Sequence, residues 1–279
     1  MTVPPVSQIS VSNIAWSPQE DEDVAALLEQ RGVTAIEVAP ARLFADPDAI
    51  TPAAVKSTLA FWSDHGIRVV AMQGLLFGRP DLALFADTAA RETMAEQLRR
   101  KIALAGELGC GPLVFGSPGN RRREGLPLED AYRHAAEFFR PLAQFAEQHG
   151  CVLCFEPNAA AYGCDFVRKI GEAARLARLV DHAAFRVQLD IGNFMMEQDD
   201  VDEVRAAAPL VGHCHASAPN LSPVGEGETP LVSLIATARA GGYRGLVSIE
   251  MRKPETGTAL PAIERALQYV TEAVAAVDA

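Results

Sequence analysis

CVLCFEPN, at positions 151–158, is the stretch from which the fold can be read. It is a short apolar run that ends in a carboxylate, Glu156, with an amide, Asn158, just beyond. Three later segments repeat the design. FRVQLDIGN (185–193) ends its run at Asp190, VGHCHAS (211–217) at His215, and LVSIEMR (246–252) at Glu250. A strand buried on both faces has little use for a charged end unless that end reaches a site. Four such endings in succession imply one shared site, and their side chains are of the kinds that hold a divalent cation.

The rest of the chain carries the same unit, an apolar strand followed by an amphipathic helix. Strands are expected over ISVSN (9–13), VTAIEVA (33–39), IRVVAMQ (67–73) and PLVFGS (112–117), ahead of the four already quoted. Helices are expected from Pro18 to a stop at Gly32, then over 51–65, 87–108, 128–149, 166–180, 201–208, 230–240 and 259–277. The first has Glu20, Asp21, Glu22 and Asp23 at its positive end, and the second has Pro52 at its first position. Glycines 32, 66, 109, 150 and 241 or 242 stand where helices stop. Alternation of this kind implies parallel strands, and eight of them close a (β/α)8 TIM barrel. No linker divides the 279 residues, so one domain over 1–279 is expected.

Alternation along each strand sorts its side chains. Glu156 shares a face with Cys154, Asp190 with Gln188, His215 with His213, and Glu250 with Ser248, while the opposite faces are apolar. The polar set therefore looks into the barrel. Asn13, Glu37, Gln73 and Ser117 end the first four strands, which lines the whole mouth with polar groups. Three crowded carboxylates repel one another, and a divalent cation resolves that conflict. With a neutral imidazole, the set around the ion would carry a charge of about −1, and oxygen-rich ligands with one nitrogen suit Mn²⁺ first, then Mg²⁺ or Co²⁺.

Composition excludes several functions. A net charge of −11 disfavours wrapping a polyphosphate backbone, so nucleic acid is not an expected partner. The five cysteines are odd in number and mostly within apolar runs, as expected of reduced thiols in the cytoplasm. Cys151 and Cys154 point to opposite faces of one strand and do not form a zinc pair. The first residues lack a basic start with an apolar core, and no run approaches the roughly 20 apolar residues that span a bilayer.

Glu at strand five, Asp at strand six, His of an H-x-H at strand seven and Glu at strand eight together resemble the xylose isomerase-like TIM barrels. FEPN, QLDIGN, GHCHAS and SIEM are the specific part of that resemblance, which runs from Ile9 to Arg252. The likeness is to the sugar phosphate isomerase/epimerase group, which includes ketose 3-epimerases and hydroxypyruvate isomerases. It implies Glu156, Asp190, His215 and Glu250 as metal ligands. It also implies proton transfer through a metal-stabilised enediolate, with Glu156 and Glu250 on opposite sides of the reacting carbon. The chain departs from ketose 3-epimerases at Asn193, where they carry His, and in ASAPNLSP (216–223), where they place an Arg. Both residues bind substrate there, so the particular sugar is not carried over.

The expected function is a metal-dependent isomerase or epimerase of a sugar or related hydroxy-carbonyl compound. A dehydratase of a keto-cyclitol is the alternative, since it begins with the same proton abstraction, and a non-catalytic sugar-recognition domain is a third reading. Endonuclease IV shares the barrel but needs histidines after several strands, where this chain has Gln73, Ser117 and Asn193. Expected substrate contacts are Asn13, Trp16, Glu37, Gln73, Asn158, Asn193 and His213, with Arg121 of the loop after strand four reaching an anionic or polyhydroxy group. Phe77, Leu82, Leu84 and Phe85 read either as an apolar lid or as contacts of a homo-oligomer.

Overall fold

Eight short runs of mostly apolar residues form the wall of the barrel. They are β1 (Ile9–Ser12), β2 (Ala35–Val38), β3 (Arg68–Met72), β4 (Pro112–Phe115), β5 (Val152–Phe155), β6 (Phe185–Asp190), β7 (Val211–Ala216) and β8 (Val247–Ile249). All pair in parallel in chain order, and β8 closes onto β1. This computed structural model describes residues 5–47 and 49–278. The expectations for residues 1–4, including part of the N-terminal stretch and of the 1–279 bounds, lie outside the described residues, as do positions 48 and 279.

The helices between strands are α1 (Asp21–Arg31), α2 (Pro40–Leu43), α3 (Pro52–Asp64), α4 (Thr88–Leu108), α5 (Leu128–Gln148), α6 (Ile170–Val180), α7 (Ile191–Met196), α8 (Val201–Ala207), α9 (Leu231–Ala240) and α10 (Leu260–Asp278). Glycines 32, 66, 109 and 150 do stop helices in the left-handed region, and after α9 that role falls to Gly242 at φ +102° rather than to Gly241. Among the described residues, no helix is long and apolar enough to cross a membrane.

Two layers of side chains follow from strand alternation. Inside the barrel, Ser10, Ser12, Gln188, His215 and Ser248 are fully buried polar groups. Outside, Phe115, Phe155 and Phe185 meet Phe139 of α5 at centroid separations of 5.0, 5.4 and 5.3 Å. The five cysteines are buried and unpaired, and burial pushes the Cys154 and Cys214 thiols up to about 12.

Three expectations change. The helix expected over 166–180 is α6 and starts at Ile170 rather than near 166, because Val167 sits at φ +60°, which no helix accommodates. α2 and α7 were not expected. α7 exists because the Asp190 side chain caps it, accepting from the Asn193 N–H at 2.5 Å. The loop after β3 is no loose lid. Leu82 and Leu84 are buried, the Leu84 N–H donates to the Asn120 carbonyl at 2.8 Å, and the Asn120 amide donates to the carbonyls of Arg79 and Leu82, both at 2.7 Å. Phe85 packs edge-on against Phe166, which leaves Phe77 as the exposed member of the set.

Phe139 is fully buried at the centre of its aromatic group. Phe139→Ala is expected to cost about 3–5 kcal/mol in denaturant unfolding. A loss under about 1 kcal/mol would show that this cluster does not wedge α5 against the barrel.

Candidate metal centre

Strand ends bring four side chains to one point. The Nδ1 of His215 lies 3.2 Å from Glu250 Oε2, 3.5 Å from Glu156 Oε1 and 3.6 Å from Asp190 Oδ2. One ligand atom from each of the four residues fits within 4.8 Å of the others. His215 is fully buried, yet Nδ1 makes no well-directed hydrogen bond among the described residues. A buried imidazole nitrogen facing three carboxylate oxygens without bonding any of them is the geometry of a shared cation. The cluster therefore fits a divalent metal.

The opposite edge of the ring is held from below. Glu37 has no exposed surface. Its oxygens lie 3.1 Å from His215 Nε2 and 3.2 Å from His213 Nε2, and Ser248 Oγ donates to it at 2.5 Å. Burial alone would raise the Glu37 carboxyl, but the charges of His215 and His213 outweigh it and hold the carboxyl well below the usual range. An ionised carboxylate only accepts, so both histidines donate from Nε2. For His215 this leaves Nδ1 as the atom that would face a metal, as in the carboxylate–histidine–metal arrangement of many metalloproteins. Glu37, His213 and His215 also lie close enough to suggest a second metal cluster, but the carboxylate there is already satisfied by three donors.

The carboxylates are oriented as well. Asp190 Oδ2 accepts from Ser217 Oγ at 2.7 Å, and that hydroxyl in turn accepts from the Gly192 N–H at 2.8 Å. Glu156 Oε2 accepts from Asn158 Nδ2 at 2.7 Å, and Asn158 Oδ1 accepts from Arg121 Nη2 at 2.8 Å. Arg121 is wholly buried and lies over the Phe155 ring at 4.6 Å. Gly116 leaves room for this chain, since a Cβ there would come within 2.5 Å of Glu156 Oε2. For Glu250, the contact with the cluster runs from Oε2 to His215 Nδ1 at 3.2 Å.

A cavity of about 280 Å³ opens in front of the cluster, lined by Glu156, Asp190 and Glu250 together with Asn158, Asn193, Tyr162, Leu221 and Arg252. Of the residues expected to contact substrate, Asn158 and Asn193 reach this cavity. The others are elsewhere. Trp16 is buried against Trp62 and donates its N–H to Asp21 at 2.7 Å, because a 3-10 turn at Asn13–Ala15 breaks the strand alternation before it. Asn13 accepts from the Ala39 N–H at 2.8 Å, and Gln73 donates to Ser12 Oγ at 2.5 Å, so both tie strand ends together. Glu37 and His213 lie a layer below the mouth, and Arg121 lies behind Asn158. Ser217, Tyr162 and Arg252 were not anticipated. Ser217 and Arg252 stand two residues beyond His215 and Glu250, so extending the alternation past the strand ends would have found them.

A family profile described as xylose isomerase-like TIM barrel matches residues 25–273. The chain belongs to that family. It is 30% identical over 136 residues to D-psicose 3-epimerase of Agrobacterium fabrum, a match that covers 44% of each chain. The solved structure of L-ribulose 3-epimerase superposes with a TM-score of 0.77 at 17% identity, covering 97% of this chain and 95% of that one. The IolI protein, solved with a bound zinc atom, gives 0.74 at 16% identity, with 96% and 98% covered.

Without a cation the cluster stores protons. Burial pushes the Glu250 carboxyl up to about 7, against the attraction of His215. Burial would lower His215, but Glu37 and Glu250 outweigh it and raise the imidazole well above its ordinary value. Both folded values lie above the unfolded ones. Their stabilising effect is full at low pH and, for Glu250, is lost as pH rises from 4.5 through about 7. Metal binding has to displace these protons, so Mn²⁺ affinity is expected to rise with pH up to about 7 and beyond. Titration calorimetry in buffers of different ionisation enthalpy measures the release, and binding without proton release would contradict the assignment. Glu37→Gln is expected to weaken Mn²⁺ binding by about 10–100-fold with secondary structure retained, and unchanged affinity would remove Glu37 from the metal's support.

Proposed function

We propose that this chain is an enzyme, a sugar isomerase or epimerase that moves a proton at the carbon beside a carbonyl group. The observation that carries the reading is the placement of two carboxylates, Glu156 and Glu250, 3.5 and 3.2 Å from His215 Nδ1 and in the lining of one cavity. The names of the relatives, D-psicose 3-epimerase and L-ribulose 3-epimerase, support a small sugar or sugar-like substrate.

Glu156, Asp190, His215 and Glu250 would hold the ion. The donor set favours Mn²⁺, with Mg²⁺ or Co²⁺ next, and a similar structure was solved with a bound zinc, also a divalent ion. When bound, the ion supplies positive charge against the negative charge that develops on the substrate's oxygens. The remaining work falls to the chain. Glu250 takes the proton α to the carbonyl. Glu156, steadied by Asn158 and Arg121, returns a proton from the other side. Return to the opposite face gives an epimer, and return to the neighbouring carbon gives an isomer. Asp190 and His215 position the ion and do not exchange protons with substrate.

Incubating Mn²⁺-loaded protein in D₂O with ketoses, aldoses and cyclitols should place deuterium on the carbon beside the carbonyl of one of them, without loss of water. Glu156→Gln and Glu250→Gln should each slow that exchange by about 10²–10⁴-fold while the thermal midpoint stays near that of the native protein. Near-native exchange in either variant would remove that carboxylate from proton transfer. A product lighter by one water would make the enzyme a dehydratase.

A further inference from the structure

Arg252 is the one cation among the described residues that line the cavity in front of the cluster. Its backbone is clamped. The Arg252 N–H donates to the Leu221 carbonyl at 2.7 Å, and the next N–H, of Lys253, donates to Ile14 at 3.1 Å. Its guanidinium is exposed and makes no hydrogen bond or ion pair among the described residues, although Glu250 stands two residues away and Glu156 and Asp190 line the same cavity. A cation that shares a cavity with three carboxylates and pairs with none of them is held for another partner.

The wall around it is pre-shaped. Asn220 and Leu221 take left-handed backbone conformations at φ +60° and +56°, and neither is glycine. Such conformations are unfavourable for residues with a side chain and persist where the surroundings over-determine them. Here the Arg252 N–H bonds the strained Leu221 directly, so rim and cation are set together. The chain carries −11 overall and three carboxylates on the cavity floor, which makes the site hostile to anions except beside Arg252. A guanidinium offers a planar fork of donors that matches a carboxylate or phosphate.

We infer that Arg252 recognises an anionic group, carboxylate or phosphate, on the end of the substrate remote from the reacting carbon. The substrate is then an acidic or phosphorylated sugar rather than a neutral one. This inference rests on the proton-transfer reading of the cavity.

The test is calorimetry on Mn²⁺-loaded native, Arg252→Met and Arg252→Lys proteins, with D-fructose, D-fructuronate and D-fructose 6-phosphate as probes. Mn²⁺ titration comes first. Failure to bind Mn²⁺ in the native protein sinks the parent reading. With Mn²⁺ bound, one anionic probe should bind native protein about 10–100-fold more tightly than D-fructose, and the two anionic arms tell carboxylate from phosphate. Arg252→Met should erase that difference at an unchanged Mn²⁺ affinity, and Arg252→Lys should keep part of it. Equal binding of neutral and anionic probes, no binding of any probe, or a preference that survives in Arg252→Met and so comes from the ion would overturn the inference.

Discussion

A fully buried carboxylate at the centre of the barrel, Glu37, is the constraint on which the site depends. Removing an ion of that kind from water costs several kcal/mol unless the surroundings replace its hydration. Three donors do so here, from His213, His215 and Ser248 on two strands across the barrel. The arrangement sets the orientation of His215, and through it the direction in which the lone pair of Nδ1 points. Everything above that atom follows. The three carboxylates gather around a nitrogen that cannot rotate, and the cavity opens over them.

Support spreads outward from this centre in unequal shares. Asp190 is bound twice, once as the cap of α7 and once by Ser217. Glu156 is steadied by Asn158 and Arg121, a chain that ends in the aromatic core at Phe155. Glu250 is the least restrained, and burial shifts it toward its protonated form, as suits the proton transfer proposed for it. Left-handed non-glycine residues stand close by. Ser117 precedes Pro118 of the cavity wall, Val167 accepts from Arg121, and Leu221 lines the cavity. Strain concentrated around one opening is a sign of pre-organisation.

Much of this was legible before any coordinates. Strand alternation separated Glu156, Asp190, His215 and Glu250 from their apolar neighbours, and eight repeats implied the closed barrel. What alternation could not convey was depth. It assigned Glu37 to the interior but put it at the mouth, because height in a barrel depends on strand tilt and stagger rather than on position within a strand. The register shift between Ile36 and Glu37 relative to β3 is part of that stagger. Trp16 was misplaced because the chain leaves extended geometry at Asn13. Arg121 was expected to reach substrate, and instead its side chain turned inward over Phe155, a contact far away in sequence.

One divalent ion held by Glu156, Asp190 and Glu250 and bound to Nδ1 of His215 is the proposal that joins the site to its function. Anomalous diffraction from crystals of the Mn²⁺-loaded protein, recorded at the manganese edge, tests it most directly. A single peak is expected within bonding distance of His215 Nδ1 and of oxygens from all three carboxylates, with Glu37 still on Nε2. A peak between Glu37 and His213, or none in the barrel mouth, would contradict it.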